Sequence, residues 1–418
     1  MSSLPSIASA WFLVRLRATW NSGTRGGHAN QGKQGHMADN EESDGNAAES
    51  RALTNSGRAR RQFLGSTALA AAGASAALMT RSLPTPAADS PADGGSCASP
   101  AIPTPMKDVA GKVAFITGGD SGIGLGIARA FVAAGMRVAI TYRTQANLDE
   151  AMTYFEKDKD RVYAVNVDVT DRAALEKAAD DVVKHFGKVH VVVANAGVAA
   201  GGGGISKASY DDWDWGMSVN LNGVFNTIHA FLPRIRSHGE SGAVIATSSL
   251  AGLLGHGQMG VYTASKFGVV GLMESLRFEL ADSNIAVTVF CPGIVSSNIG
   301  TSARNRPAQY KGKTPSPPPP PRAAAGAHSP TMQVAMDPLE AGNRVLKGMR
   351  NNDLYVLTTP DFEEDFRARG EAILASLPTD VTPSAERVAL GHRIAGKMTY
   401  VAERDRKQCE RKVRTKNT

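Results

Sequence analysis

Tyr262 and Lys266, in the stretch VYTASKFG (261–268), stand four residues apart in a segment of helical spacing. That interval puts the phenol and the ammonium on one face. A tyrosine at its ordinary pKa of about 10 is a poor base at neutral pH. A neighbouring ammonium favours the phenolate and brings its proton affinity into a useful range, so the pair suits acid–base work. A second candidate lies upstream in FITGGDSGIG (115–124), where Gly118, Gly122 and Gly124 separate an apolar run from a helical one. Without Cβ atoms these positions let the backbone approach a pyrophosphate, and a helix N-terminus supplies free N–H groups and a positive dipole. The spacing is G-x3-G-x-G rather than the general G-x-G-x-x-G. About twenty residues on, an NAD site would place Asp or Glu on the ribose 2′-hydroxyl. Here the run ITYRT (140–144) offers Tyr142 and Arg143 instead. An arginine suits a 2′-phosphate, so NADP(H) is favoured over NAD(H) as the cofactor.

Such residues need a frame. Short apolar runs at 112–117, 137–141, 161–169, 189–197, 242–249 and 285–293 alternate with helix-like segments at 123–135, 146–157, 171–187, 207–237 and 260–282. Near-continuous apolar strands between helices indicate a parallel sheet covered on both faces. The expected fold is therefore α/β, a doubly wound parallel sheet, with ligands at the carboxyl ends of its strands. Residues 337–359 read as a further helix and a last strand.

In order and spacing these motifs resemble the short-chain dehydrogenase/reductase family over about 106–300, with fading similarity to about 378. TGGDSGIG (117–124) looks like the family's cofactor loop and adds Ser121 and Ile123 to the glycines. NVDVTD (166–171) places Asp168 and Val169 where the family holds adenine. ANAG (194–197) resembles its NNAG, with Ala194 for the first Asn, and puts Asn195, Ala196 and Gly197 beside the cofactor. VNLNG (219–223) puts Asn220 at the family's catalytic asparagine. Ser249 precedes Tyr262 by thirteen residues, the family's serine-to-tyrosine distance, whereas Ser248 stands at fourteen. CPGIVSS (291–297) resembles the segment beside nicotinamide, giving Pro292, Gly293, Ile294 and Ser297, the last where a threonine is usual.

The resemblance implies a Rossmann-fold oxidoreductase that moves a hydride between nicotinamide and a carbonyl or alcohol. Ser249 would bond the substrate oxygen, Tyr262 would pass its proton, Lys266 would lower the tyrosine pKa and hold the ribose, and Asn220 would anchor a water. It also implies a homodimer or homotetramer. Two rivals share the fold: a non-catalytic NADP-binding sensor, which the complete Asn/Ser/Tyr/Lys set opposes, and a sugar-nucleotide epimerase, which the Ser–Tyr spacing opposes. Leu250, Leu253, Leu254 and Met259 hint at a hydrophobic small-molecule substrate.

The flanks read differently. Residues 1–105 are expected to be a disordered extension, an export signal at about 58–88 and a Pro/Ala/Ser/Gly linker, with Met37 a plausible true start. ARRQFLG (59–65) ahead of an Ala-rich core resembles the twin-arginine class, which carries folded proteins. A cofactor-loaded enzyme in the periplasm follows, or a cytoplasmic one if the signal does not function. Residues 106–378 form the dehydrogenase domain, with a variable substrate lid at 298–345 in which Pro315 and Pro317–Pro321 favour polyproline II. Residues 379–418 read as a basic tail: ERDRKQCERKVRTKNT (403–418) holds seven basic and three acidic residues and is expected to be solvated, though 387–406 has amphipathic spacing. The net charge of +7 comes without any nucleic-acid motif. The three cysteines lie far apart, which argues against a disulfide framework and a metal site. No strongly apolar run is long enough for a stable membrane span.

Overall fold

The structure is a computed structural model and describes residues 106–311, 334–395 and 397–416. They fall in one compact unit, Ala92–Thr418. The signal-like segment, the linker and the proline run lie outside the described residues. Seven parallel strands form one sheet in the order β3-β2-β1-β4-β5-β6-β7. In chain order these are β1 (Val113–Ile116), β2 (Arg137–Tyr142), β3 (Val162–Asn166), β4 (Val191–Ala194), β5 (Gly242–Thr247), β6 (Ile285–Cys291) and β7 (Tyr355–Leu357). Order reverses between β1 and β4, both of which pair with parallel neighbours across that switch point.

The sequence dictates two apolar faces because alternate strand residues point opposite ways. Val113, Phe115, Val192 and Val244 pack on one side, against α3 (Arg172–Phe186), α5 (Gly223–Ser237) and α6 (Gly260–Glu279). Phe115 stacks on Phe231 of α5 with ring centroids 4.0 Å apart. Ala114, Ile116, Val191 and Ile245 face the other side, against α1 (Gly122–Ala133), α2 (Gln145–Met152) and α7 (Pro338–Asn351). Buried on both faces, the strands need no polar alternation. Helices α1 and α7 touch backbone to backbone. A Cβ on Gly126 would lie 1.8 Å from the Pro338 carbonyl oxygen, and one on Gly342 would lie 2.2 Å from that of Gly126. This pair of glycines brings the N-terminus of α7, capped by Asp337, alongside the glycine loop.

Some elements depart from expectation. The helix expected over 207–237 is two, α4 (Tyr210–Met217) and α5, joined by a π-turn at Ser218–Asn222. The wide turn carries Asn220, whose side chain satisfies both backbone groups of Val198. Strand β3 ends at Asn166 and leaves Val167–Val169 outside the ladder. The basic end is not solvated throughout. Beyond α8 (Glu363–Ala375) and α9 (Ala385–Ala395), α10 (Lys397–Lys416) docks by charge. Buried Glu403 accepts the Leu354 amide at 3.0 Å. Arg406 and Lys407 pair with Asp353 at 2.8 and 2.6 Å. The residues counted as tail charge thus cap the end of the sheet at β7. Cys291 is a free buried thiol. Among the described residues no helix is long and apolar enough to cross a membrane.

Candidate active site

The strand ends open into one cleft of about 1100 Å³ whose walls include Arg143 and Asp168 as well as Tyr262 and Trp215. Its floor is the glycine loop. Gly118 and Gly122 adopt φ of +62° and +52°, the left-handed region that glycine enters without strain. The Gly118 amide donates to the Thr141 hydroxyl at 2.8 Å, which ties the loop to β2. A Cβ on Gly124 would lie 2.0 Å from the Gly118 carbonyl oxygen, so the loop closes only on glycine there. Ser121 caps α1 with extended backbone and no side-chain bond to the helix. Ser121, Gly122 and Ile123 border the cleft at that helix start.

Asn195 locks the floor to β4. Its side-chain amide donates to the Thr117 carbonyl at 3.0 Å, its oxygen accepts from the Thr247 hydroxyl at 3.0 Å, and its backbone N–H donates to the Thr117 hydroxyl at 2.9 Å. The Ala196 amide donates to the same hydroxyl at 3.0 Å. Asp168 accepts from the amide and hydroxyl of Thr170 and pairs with Arg143. Burial works to raise its carboxyl, but Thr170 and Arg143 together outweigh that and hold it low.

Helix α6 carries the acid–base pair. Lys266 is 2% exposed, and its Nζ donates to the Thr247 carbonyl at 2.9 Å. Burial pushes its pKa down to about 8, opposed weakly by the Cys291 thiol. The Nζ stands 5.6 Å from the Tyr262 ring centroid. Burial raises the phenol, and the Ser249 hydroxyl against it acts in the opposite sense. The ammonium is therefore near the tyrosine, yet desolvation outweighs the Ser249 hydroxyl in setting the tyrosine's proton affinity. The two serines point to different partners: Ser248 donates to the Lys266 carbonyl at 2.8 Å, while Ser249 faces Tyr262. Gly197 completes the contact, since a Cβ there would lie 3.4 Å from Lys266 Nζ and 3.3 Å from Asn220 Oδ1.

All the expected site residues border the cleft except Gly124 and Asn220. Gly124 packs behind the loop, and Asn220 is fully buried on Val198 and Ser265. The side chain of Asn220 is thus committed to positioning. Of the four apolar residues expected at the substrate, Met259 borders the cleft; Leu250 is buried and Leu253 packs on the core. Sequence reasoning missed Trp215, Tyr310 and Asp120, all on the cleft wall. It also missed Arg306, which bonds Asp212 at 2.6 Å and lies over the Trp215 ring at 5.1 Å, pinning the 299–311 segment to α4. Asp120 lies inside the TGGDSGIG loop without being one of its spaced glycines, and the others belong to no spacing motif, so only the fold brings them together. No cluster of three or more metal-binding side chains occurs among the described residues.

A family model for short chain dehydrogenases matches residues 112–308. A C alpha-dehydrogenase of Sphingobium sp. (strain NBRC 103272 / SYK-6) is 33% identical, over 72% of this chain and 97% of its own length. The chain belongs to the short-chain dehydrogenase family. It is accordingly an oxidoreductase with the Rossmann-type sheet described above. A 3beta-hydroxysteroid dehydrogenase 2 of Eggerthella lenta is 36% identical over 47% of this chain and 75% of its own. Among solved structures, a short chain dehydrogenase/reductase from Burkholderia phymatum in complex with NAD aligns at a TM-score of 0.59 and 30% identity, covering 67% of this chain and all of that one. The glycine loop leaves a side-chain-poor helix N-terminus on the cleft, a surface that the pyrophosphate of a dinucleotide fits.

Proposed function

We propose that the enzyme interconverts a secondary alcohol and a ketone with a nicotinamide dinucleotide, with Tyr262 as the acid–base. The carrying observation is the convergence of Tyr262, Ser249 and Lys266 on one wall of the cleft that the glycine loop floors. The bound dinucleotide supplies the hydride chemistry; the chain's own part is the proton. Ser249 bonds the substrate oxygen and keeps it at hydrogen-bond distance of the Tyr262 phenol. The phenol gives its proton to that oxygen in reduction and takes it back in oxidation. Lys266, held by the Thr247 carbonyl, supplies the charge that makes a phenolate tolerable. Asn220 fixes the Val198 backbone behind them. Trp215, Met259 and Tyr310 give the substrate end an apolar, aromatic wall, which suits a flat or hydrophobic carbinol. Steady-state turnover over a panel of aryl and alkyl carbinols and ketones, with both cofactors, tests this. Tight cofactor binding without turnover on any of them would leave a sensor as the reading.

For the cofactor we propose a preference for NADP(H), on the Arg143 guanidinium at the cleft. Arg143→Ala is expected to lower kcat/KM for NADP(H) by about 10- to 100-fold, the worth of a bond to a charged group, and to leave NAD(H) nearly unchanged. An unaltered ratio of the two specificity constants would defeat the preference.

We propose further that the chain is exported folded, with its cofactor bound, and works as a dimer or tetramer. Arg60 and Arg61 ahead of the Ala-rich run motivate the route. Changing both to Lys keeps the charge and is expected to trap an active, full-length precursor in the cytoplasm. Fractionation with N-terminal sequencing reads the result. Wild-type protein found only in the cytoplasm, with its Ala-rich segment intact, would sink the export route.

A further inference from the structure

Asp120 sits in the glycine loop between Gly118 and Gly122, is 8% exposed and borders the cleft. Its carboxylate reaches back toward the end of β2. It accepts from the Asn147 side-chain amide at 3.4 Å, and the Arg143 backbone amide lies against it. Sites that take NAD place a carboxylate at the end of the second strand, where it accepts from a ribose hydroxyl. The sequence has Tyr142 and Arg143 at that place, but the loop delivers a carboxylate to the same strand end. The Arg143 guanidinium, meanwhile, is engaged by Asp168. Arg129, over the Tyr154 ring at 4.4 Å, and Glu150 also border the cleft, with opposite charges. Arg304, which also borders the cleft, lies near enough to favour the charged form of Asp120 against its burial. With Arg143 paired to Asp168, a carboxylate therefore stands beside the ribose position with the Arg304 guanidinium near it.

We propose that Asp120 is a cofactor-specificity residue that opposes Arg143: it accepts from the adenosine ribose of NAD(H) and repels the 2′-phosphate of NADP(H). This rests on the dinucleotide reading of the cleft. Arg143 attracts the phosphate and Asp120 penalises it, so the wild type binds both cofactors with a narrowed preference. Asp120→Asn removes the charge at nearly the same shape, with one amide oxygen left to accept from the Asn147 amide or the Arg143 backbone, which makes it the informative change.

The test is titration of the full chain with NADH and NADPH, read by nicotinamide fluorescence and calorimetry. In Asp120→Asn the ratio of Kd for NADH to Kd for NADPH is expected to rise about tenfold or more, with NADPH tighter and NADH weaker. Asp120→Ala should move the ratio the same way, with thermal denaturation confirming that each variant is folded. If both cofactors bind and both folded variants keep the wild-type ratio, the Asp120 proposal is overturned while the dinucleotide reading stands. A wild-type chain that binds neither cofactor overturns both.

Discussion

Tyr262→Phe is expected to lower kcat by about 10²–10⁴, the usual worth of a positioned acid–base group, with the Kd for the dinucleotide nearly unchanged. The phenol is 9% exposed, so the phenylalanine ring fills the same space and the fold keeps its packing. What disappears is the phenol that lies against the Ser249 hydroxyl. Because burial raises the phenol, it is protonated at neutral pH before cofactor binds, which readies it for ketone reduction. Oxidation needs the ionised form, so its rate should climb with pH while the reductive rate falls. Matched thermal denaturation of wild type and variant separates lost chemistry from lost structure. A folded Phe variant that turned over at near the wild-type rate would remove Tyr262 from the mechanism.

Much of this site was legible in sequence because its parts are tied to strand ends. A parallel sheet fixes where each strand stops, so the glycine loop after β1, Asn195 after β4, Ser249 after β5 and Pro292 after β6 must converge. Helical periodicity likewise carried Tyr262 and Lys266 to one face. What failed was whatever depended on contacts between distant segments. The π-turn at Ser218–Asn222 exists because Asn220 must reach the Val198 backbone, and no local propensity encodes that reach. The docking of α10 rests on Glu403 meeting the Leu354 amide and on Arg406 meeting Asp353. In a linear reading those charges look like a solvated tail. Asp120 is hidden in the linear sequence for a related reason. Sequence distance points to a ribose carboxylate on β2 itself, whereas the loop folds one back to that strand end.

Lys266→Met tests whether the buried ammonium is kept for function at a cost to the fold. Met fills much of the same volume and has no charge to desolvate. Lys266 is 2% exposed, with the Thr247 carbonyl as its hydrogen-bond acceptor. Burial lowers its pKa from 10.5 to about 8, so the unfolded chain holds this proton more tightly than the native one. Unfolding therefore takes up a proton between those two values, and stability rises with pH across that window. Below about pH 8 the penalty is fully present and amounts to about 3 kcal/mol; above the ordinary lysine value it vanishes. Lys266→Met should consequently melt higher than wild type at pH 7 without cofactor, and the gap should close as pH rises toward 10.5. On the proposed mechanism turnover should fall by about 10²–10⁴, since Tyr262 loses the ammonium 5.6 Å from its ring centroid. Melting curves from pH 6.5 to 10 and single-turnover rates read the two effects separately. A variant less stable than wild type at every pH would mean that the Thr247 contact outweighs desolvation, and a variant that kept its rate would free Tyr262 from any dependence on Lys266.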